Sequence, residues 1–97
     1  MGHIFGMKPD YDTKKVDDAV LALLWLTAFS DSKDSEGNPL YYRAWKGHDW
    51  GAMERLHAAG YIDNPVSKTK SVVFTKEGAE RSAALFRKLF VQEDEHA

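Results

Sequence analysis

The stretch from Met53 to Ala79, MERLHAAGYIDNPVSKTKSVVFTKEGA, does most to limit what this chain can fold into. It reads as a helix, a glycine stop, a strand, a basic turn, a second strand and a newly capped helix. Gly60 stands where a helix ends in the left-handed conformation that glycine adopts without strain. Tyr61 and Ile62 are strand formers and open a strand. Asp63-Asn64-Pro65 turns or kinks it, and Pro65, having no N–H to give, restricts it to a sheet edge. Lys68 to Lys70 form the tip, and Ser71 to Phe74 return. Thr75 can accept from the free N–H groups of a new helix, and Glu77 suits the positive end of its dipole. A helix, a hairpin and a helix in immediate succession imply a small α+β domain.

The bulk properties agree. A chain of 97 residues is one domain. Hydrophobic residues at 43% and aromatics at 12% are values of a chain that can bury a core. With no cysteine, disulfides and thiolate metal sites are excluded. The longest apolar run, AVLALLWL from Ala19 to Leu26, falls short of the roughly 20 residues that a membrane span needs. No signal-peptide pattern is visible, so the cytoplasm is the expected location and no membrane partner is expected.

Charge is unevenly spread. Residues 1–39 carry four Lys/Arg against seven Asp/Glu, residues 40–76 six against three, and residues 77–97 three against five. The basic excess therefore coincides with the strand-rich middle. The pI of about 6.0 is well below the value near 9 that a dedicated DNA-binding domain commonly shows.

Residues 1–11 show no period and read as a flexible N-terminal arm. Met7 offers an alternative start, or Met1 to Gly6 is a cloning remnant. A first helix begins at Asp12 or Thr13 and runs to about Phe29. On a helical wheel Val16, Ala19, Val20, Leu23, Leu24 and Leu26 share one face, and Leu21, Trp25, Ala28 and Phe29 a second. Two apolar faces imply burial from two sides, by another helix of the domain or by another subunit. Residues 30–39 form a polar linker with Gly37, Asn38 and Pro39 as turn residues. Leu40 to Lys46 reads as a strand with Tyr41, Arg43 and Trp45 on one side. A second helix runs from the Asp49 cap to Gly60 with Trp50, Met53, Leu56 and His57 inward. The last helix carries a broad stripe of Ala79, Ser82, Ala83, Leu85, Phe86, Leu89 and Phe90, and residues 91–97 form an acidic tail. Trp50, Leu56, Val73 and Phe86 are expected in the core.

Five segments, DDAVLALLWLT, RAWKGHDW, ERLHAAGYI, DNPVSKTKSVV and FTKEGAERSAALFRKLF, resemble an uncharacterised bacterial family, a domain of unknown function with winged-helix-like architecture. The resemblance runs from about Val16 to Phe90 and implies a fold without implying an activity. More loosely, the order is similar to that of winged-helix transcription regulators, in which two helices lie between the first strand and the wing and the second reads the major groove. Here only one helix fits between Lys46 and Tyr61.

The candidate chemistry is sparse. Glu54 and His57 have the E-x-x-H spacing of carboxylate-bridged metal sites, but such sites need two pairs and further carboxylates. A hydrogen-bonded, buried histidine is the simpler reading. Asp17 and Asp18, adjacent on a helix, read as a first-turn pair that suits the dipole. No nucleophile elbow, phosphate loop or dinucleotide glycine pattern is present, so no catalytic, cofactor or metal residues are assigned.

The resulting expectation is an α+β, winged-helix-like domain over 12–90 with order α-β-α-β-β-α. Its function is expected to be a non-catalytic interaction module. It would form a homodimer through Leu21, Trp25, Phe29, Leu89 and Phe90, or bind a protein of unknown identity. The alternative is a double-stranded DNA-binding regulator using Arg43, Lys46, Arg55, Lys68 and Lys70, with weak and sequence-indifferent contacts to phosphates. A metal-dependent enzyme built on Glu54 and His57 is a distant third.

Overall fold

A computed structural model describes residues 10–92. Three helices and one antiparallel pair of strands follow in the order α1 (Thr13–Leu26), β1 (Arg43–Trp45), α2 (Trp50–Ala58), β2 (Ser71–Val73) and α3 (Lys76–Phe90). The class is α+β.

Local signals set the element ends. Asp12 caps α1 by accepting from the Lys14 and Lys15 N–H groups. Asp49 caps α2 through Ala52 N–H, and Thr75 caps α3 through Gly78 N–H. At the far end of α2, Gly60 takes φ 85°. Its N–H then reaches the His57 carbonyl at 3.0 Å, and Tyr61 N–H reaches the Leu56 carbonyl at 3.1 Å. This double closure satisfies carbonyls that a bare helix end leaves open.

α1 is shorter than its apolar spacing suggests. It stops at Leu26, and Thr27 and Ala28 N–H groups close back on Leu24 and Trp25. Phe29 then lies extended and exchanges two hydrogen bonds with Arg43, at 2.8 and 2.7 Å. Phe29 keeps the apolar spacing of the helix with an extended backbone, which periodicity alone does not distinguish. Residues 30–39 are not a plain linker. The Asp34 carboxylate accepts from Glu36 and Asn38 N–H groups, both at 2.9 Å, around Gly37 at φ 87°. These backbone bonds, that from Asn38 foremost, hold the Asp34 pKa below its ordinary value.

The strand expected at Tyr61-Ile62 is reduced to a single bridge between Ile62 and Phe74. The next residue explains why. Asp63 gives its N–H to the Val73 carbonyl, while its carboxylate, not its backbone carbonyl, accepts the Val73 N–H. The side chain takes the ladder position, and Asn64-Pro65 turns the chain away. β2 thus lies between β1 on one side and the Ile62-Asp63 segment on the other.

The core gathers Leu21, Leu24, Met53, Leu56, Ile62, Val72 and Phe74, with α1 packed against α2 and most extensively against α3. Leu56 is buried as expected. Trp50 is not: it is 48% exposed, and Ala52 takes its place inside. The inner face of α2 is centred near Leu56, between Ala52 and Met53, which turns Trp50 and His57 about 100° or more aside. Val73 and Phe86 are half-buried, because in β2 it is Val72 that points inward and the α3 stripe outruns the core toward its C-terminal end. The most buried residues of α3 are small ones, Gly78 and Ser82. A Cβ on Gly78 would collide with the Tyr61 carbonyl, and the Ser82 hydroxyl donates to the Leu21 carbonyl at 2.6 Å. Small side chains let α3 approach closely enough to make both contacts.

As α1 advances from Asp18 to Trp25, its partners move back along the chain from Arg81 to Phe74. The two terminal helices are therefore antiparallel. Asp10 and Tyr11 are exposed and outside any helix; the rest of the proposed arm, and residues 93–97 of the proposed acidic tail, lie outside the described residues.

Candidate interaction surfaces

The five cations that a DNA-binding face would gather have different fates. Arg43 donates through Nε to the Ser71 hydroxyl at 2.9 Å, across the β1–β2 pair. Lys46, just past β1, reaches the loop that precedes β2 and gives its ammonium to the carbonyls of Pro65 and Ser67, at 2.7 and 3.0 Å, and to the Ser67 hydroxyl. Arg55 forms a two-pronged pair with Asp17, at 2.7 and 2.8 Å, and this carboxylate raises the arginine pKa. Lys68 and Lys70 are exposed on the loop that Lys46 holds. Three of the five thus serve the fold, and the surface cations contract to the loop tip.

Asp17 is one half of a second arrangement that the sequence does not advertise. α1 starts at Thr13, so neither acid falls in its first turn. Neighbouring positions on a helix diverge by about 100°. Asp17 accordingly meets Arg55 of α2, while Asp18 meets Arg81 of α3 at 3.3 Å. The Arg81 guanidinium lies 5.6 Å from the centre of the Tyr61 ring, and its buried Nε has no hydrogen-bond partner among the described residues. One dipeptide ties the first helix to both others, replacing the dipole role expected of it.

The surface proposed for a dimer is also redistributed. Leu21 is fully buried, covered by the same chain, and belongs to no outer surface. Trp25 packs its ring against Tyr42 and Phe74, with centres 5.1 and 5.9 Å apart. Phe29 lies against Trp45 at 5.4 Å. Leu89 and Phe90 are exposed by about half. They close α3, some 20 Å along the helix from the Phe74 end where Trp25 packs. The five residues therefore do not form one face, because an antiparallel pair sends its C-terminal ends in opposite directions. What remains uncovered on the terminal helices is Leu23 and Leu26 of α1 and Leu89 and Phe90 of α3.

Elsewhere, Leu40, Tyr41, Tyr42, Phe74 and Ala79 line a mostly apolar cleft of about 280 Å³ beside the start of α3, with Lys76 and Glu80 at its edge. Glu54 is exposed, and His57 is an exposed residue whose Nδ1–H donates to the Ile62 carbonyl at 3.0 Å. That bond makes His57 a tie between α2 and the following segment, not the buried histidine that was expected. Among the described residues, no three His, Asp or Glu side chains are grouped as a metal ion would require. His48 is half-buried, and loss of solvent lowers its pKa. No described helix is long and apolar enough to cross a membrane.

Ser82 belongs to the α3 stripe legible in the sequence, but its bond to Leu21, the close approach of Gly78 and the Asp18–Arg81–Tyr61 contact are not legible there. The T-x-x-G run from Thr75 to Gly78 carried the only local hint, since a glycine in the first turn of a helix costs stability unless close packing requires it.

A small α+β fold of three helices on a short antiparallel pair, tied by charge pairs at the helix junction, defines the class. The chain belongs to the family described as Domain of unknown function (DUF6429), whose model matches residues 12–92. It is similar to "Uncharacterized protein y4hR" of Sinorhizobium fredii (strain NBRC 101917 / NGR234), at 48% identity over 83 residues that cover 86% of this chain and 99% of that protein. No solved structure matches. The function of this protein is thus unknown, and the five segments named above all lie within the matched residues.

Proposed function

We propose that the chain is a winged-helix-like, non-catalytic interaction module of the cytoplasm that self-associates through its terminal helices. The observation that carries this reading is the apolar surface left on those helices: Leu23 and Leu26 are 37% and 65% exposed, Leu89 and Phe90 48% and 47%. Large apolar side chains at the centre of an interface supply much of its binding energy, provided that a partner covers them. The winged-helix part is supported by a single helix between β1 and the hairpin, by β2 lying between its two neighbours, and by the loop that projects between Pro65 and Lys70. The non-catalytic part is supported by Glu54 and His57, of which the histidine is engaged with a backbone carbonyl. Light scattering at micromolar concentration tests the reading. A mass of two chains is expected, and a single-chain mass at every concentration sinks it.

A second reading is favoured by the loop. Lys68 and Lys70 stand exposed on a support fixed by Lys46, as phosphate contacts would require. With Arg43, Lys46 and Arg55 committed elsewhere, double-stranded DNA binding should be weak and sequence-indifferent, near 10⁻⁴–10⁻⁶ M at physiological salt, roughly the non-specific range. Anisotropy titrations of random and promoter-derived duplexes at two salt concentrations check this. Nanomolar affinity with a large preference for one duplex makes the DNA reading primary.

A further inference from the structure

The outer side of α3 is arranged by charge along its length. Apart from Lys76, and from Arg81, whose guanidinium is drawn to Asp18 and the Tyr61 ring, the N-terminal half presents acids, Glu77 and Glu80, and the C-terminal half presents bases, Arg87 and Lys88. Between them stands Ala84, small and exposed. A shallow groove of about 400 Å³ follows this line, with Glu77 and Glu80 toward one end, Lys88 toward the other, Ala84 and Leu85 along it, and Arg81 and the Tyr61 ring at its side. Acids early and bases late suit the helix dipole. The dipole does not, however, require them to flank a groove at equal distances from its one small residue.

Glu80 is four residues before Ala84 and Lys88 four residues after it. Such a surface is complementary to itself when inverted. We infer that the occupant of this groove is α3 of a second copy, crossing antiparallel about a twofold axis at Ala84. In this arrangement each Glu80 faces the other copy's Lys88, and two equivalent ion pairs close the contact. A twofold interface uses the same patch from both subunits, so every complementary pair occurs twice and every mismatch is also doubled. The small side chain at the crossing allows the helix axes to approach to the 8–10 Å or so of ordinary helix packing. The surface lies opposite Gly78 and Ser82, which face the interior, so occupying it leaves the core undisturbed.

This inference rests on the self-association proposed above and narrows it to the outer side of α3, a surface distinct from the exposed Leu23 and Leu26 of α1. The test compares the dimer dissociation constants of the full chain, Glu80→Lys, Lys88→Glu and the double exchange, by sedimentation equilibrium at low and high salt. All positions are exposed, and circular dichroism melting curves confirm that each variant is folded. Each single change places two pairs of like charges across the axis and should weaken the dimer by about tenfold or more. The double exchange restores the pairing and should return the constant to near its original value, a rescue that no merely local effect produces. Ala84→Arg should abolish the dimer, and added salt should weaken the parent dimer but not strengthen it. A dimer that ignores both single changes and Ala84→Arg overturns the α3 interface and leaves self-association standing. A single-chain mass for the parent at high micromolar concentration overturns both.

Discussion

The segment from Gly60 to Gly78 is held at its base and at its tip by different physics. At the base, the backbone itself is the contact. Gly60 reverses the chain, Thr75 N–H donates to the Tyr61 carbonyl at 3.0 Å, and the Thr75 hydroxyl donates to the Gly60 carbonyl at 2.7 Å. Gly78 then rests its bare Cα against the Tyr61 carbonyl. At the tip, one lysine ammonium carries loop 65–67 through its hydrogen bonds. A backbone contact tolerates no added atom, whereas a side-chain tie can be removed and the loop re-solvated. The base should therefore be a fixed part of the fold, and the tip is where this protein has freedom to vary its surface.

This contrast can be broken or sharpened by substitution. The largest effect belongs to the buried support of the base. Leu56→Ala empties the core position whose carbonyl closes the Tyr61 turn, and should cost about 2–5 kcal/mol in urea denaturation. A loss under about 0.5 kcal/mol means that Leu56 is not a core residue, against the burial described here.

Gly78→Ala comes next. Its methyl group must displace the Tyr61 backbone, which cannot swing aside as a side chain can, so a cost of about 1–3 kcal/mol is expected. An unchanged denaturation midpoint would show that the approach of α3 to Tyr61 is not close, and the distinction between base and tip would lose its basis.

At the tip, Lys46→Ala should cost less than about 1 kcal/mol, since water replaces much of what the ammonium supplied. Its signature is local. Hydrogen exchange should quicken for residues 66–70 while Tyr61 and Thr75 keep their protection. Equal acceleration at the base and the tip would show them to be one cooperative unit.

The smallest effect is one of pH. Burial lowers the His48 pKa, so the folded state favours neutral imidazole more than the unfolded chain does. Its contribution is present above the unfolded value, about 6.5, and is lost as pH falls through the lower folded value. Stability should decline as pH drops below about 6.5, and His48→Gln should flatten that part of the profile. An unaltered slope in the variant assigns the decline to other groups.

The elements were largely legible where the cause is local. Asp49, Gly60 and Thr75 act on N–H or carbonyl groups within a few residues, so each could be read from its neighbours. The errors have physical sources as well. Trp50 shares a helical face with Met53 and His57, but the face that packs inward is that of Ala52, Met53 and Leu56. Phe29 kept the helical spacing while its backbone joined a strand. The third strand failed because the Asp63 carboxylate could take the ladder position of a carbonyl.

The candidate surfaces depended on pairings that no local pattern contains. Asp17 finds Arg55 across 38 positions, Asp18 finds Arg81 across 63, and Lys46 finds Pro65 across 19. The sequence by itself determined where helices begin and end, that one helix separates β1 from the hairpin, and that the middle of the chain is basic. Only the tertiary structure decided which cations remain at the surface and which apolar residues are left uncovered. A charge or a methyl group is the same chemical object wherever it stands, but its availability depends on what the folded chain brings to within a few ångströms of it.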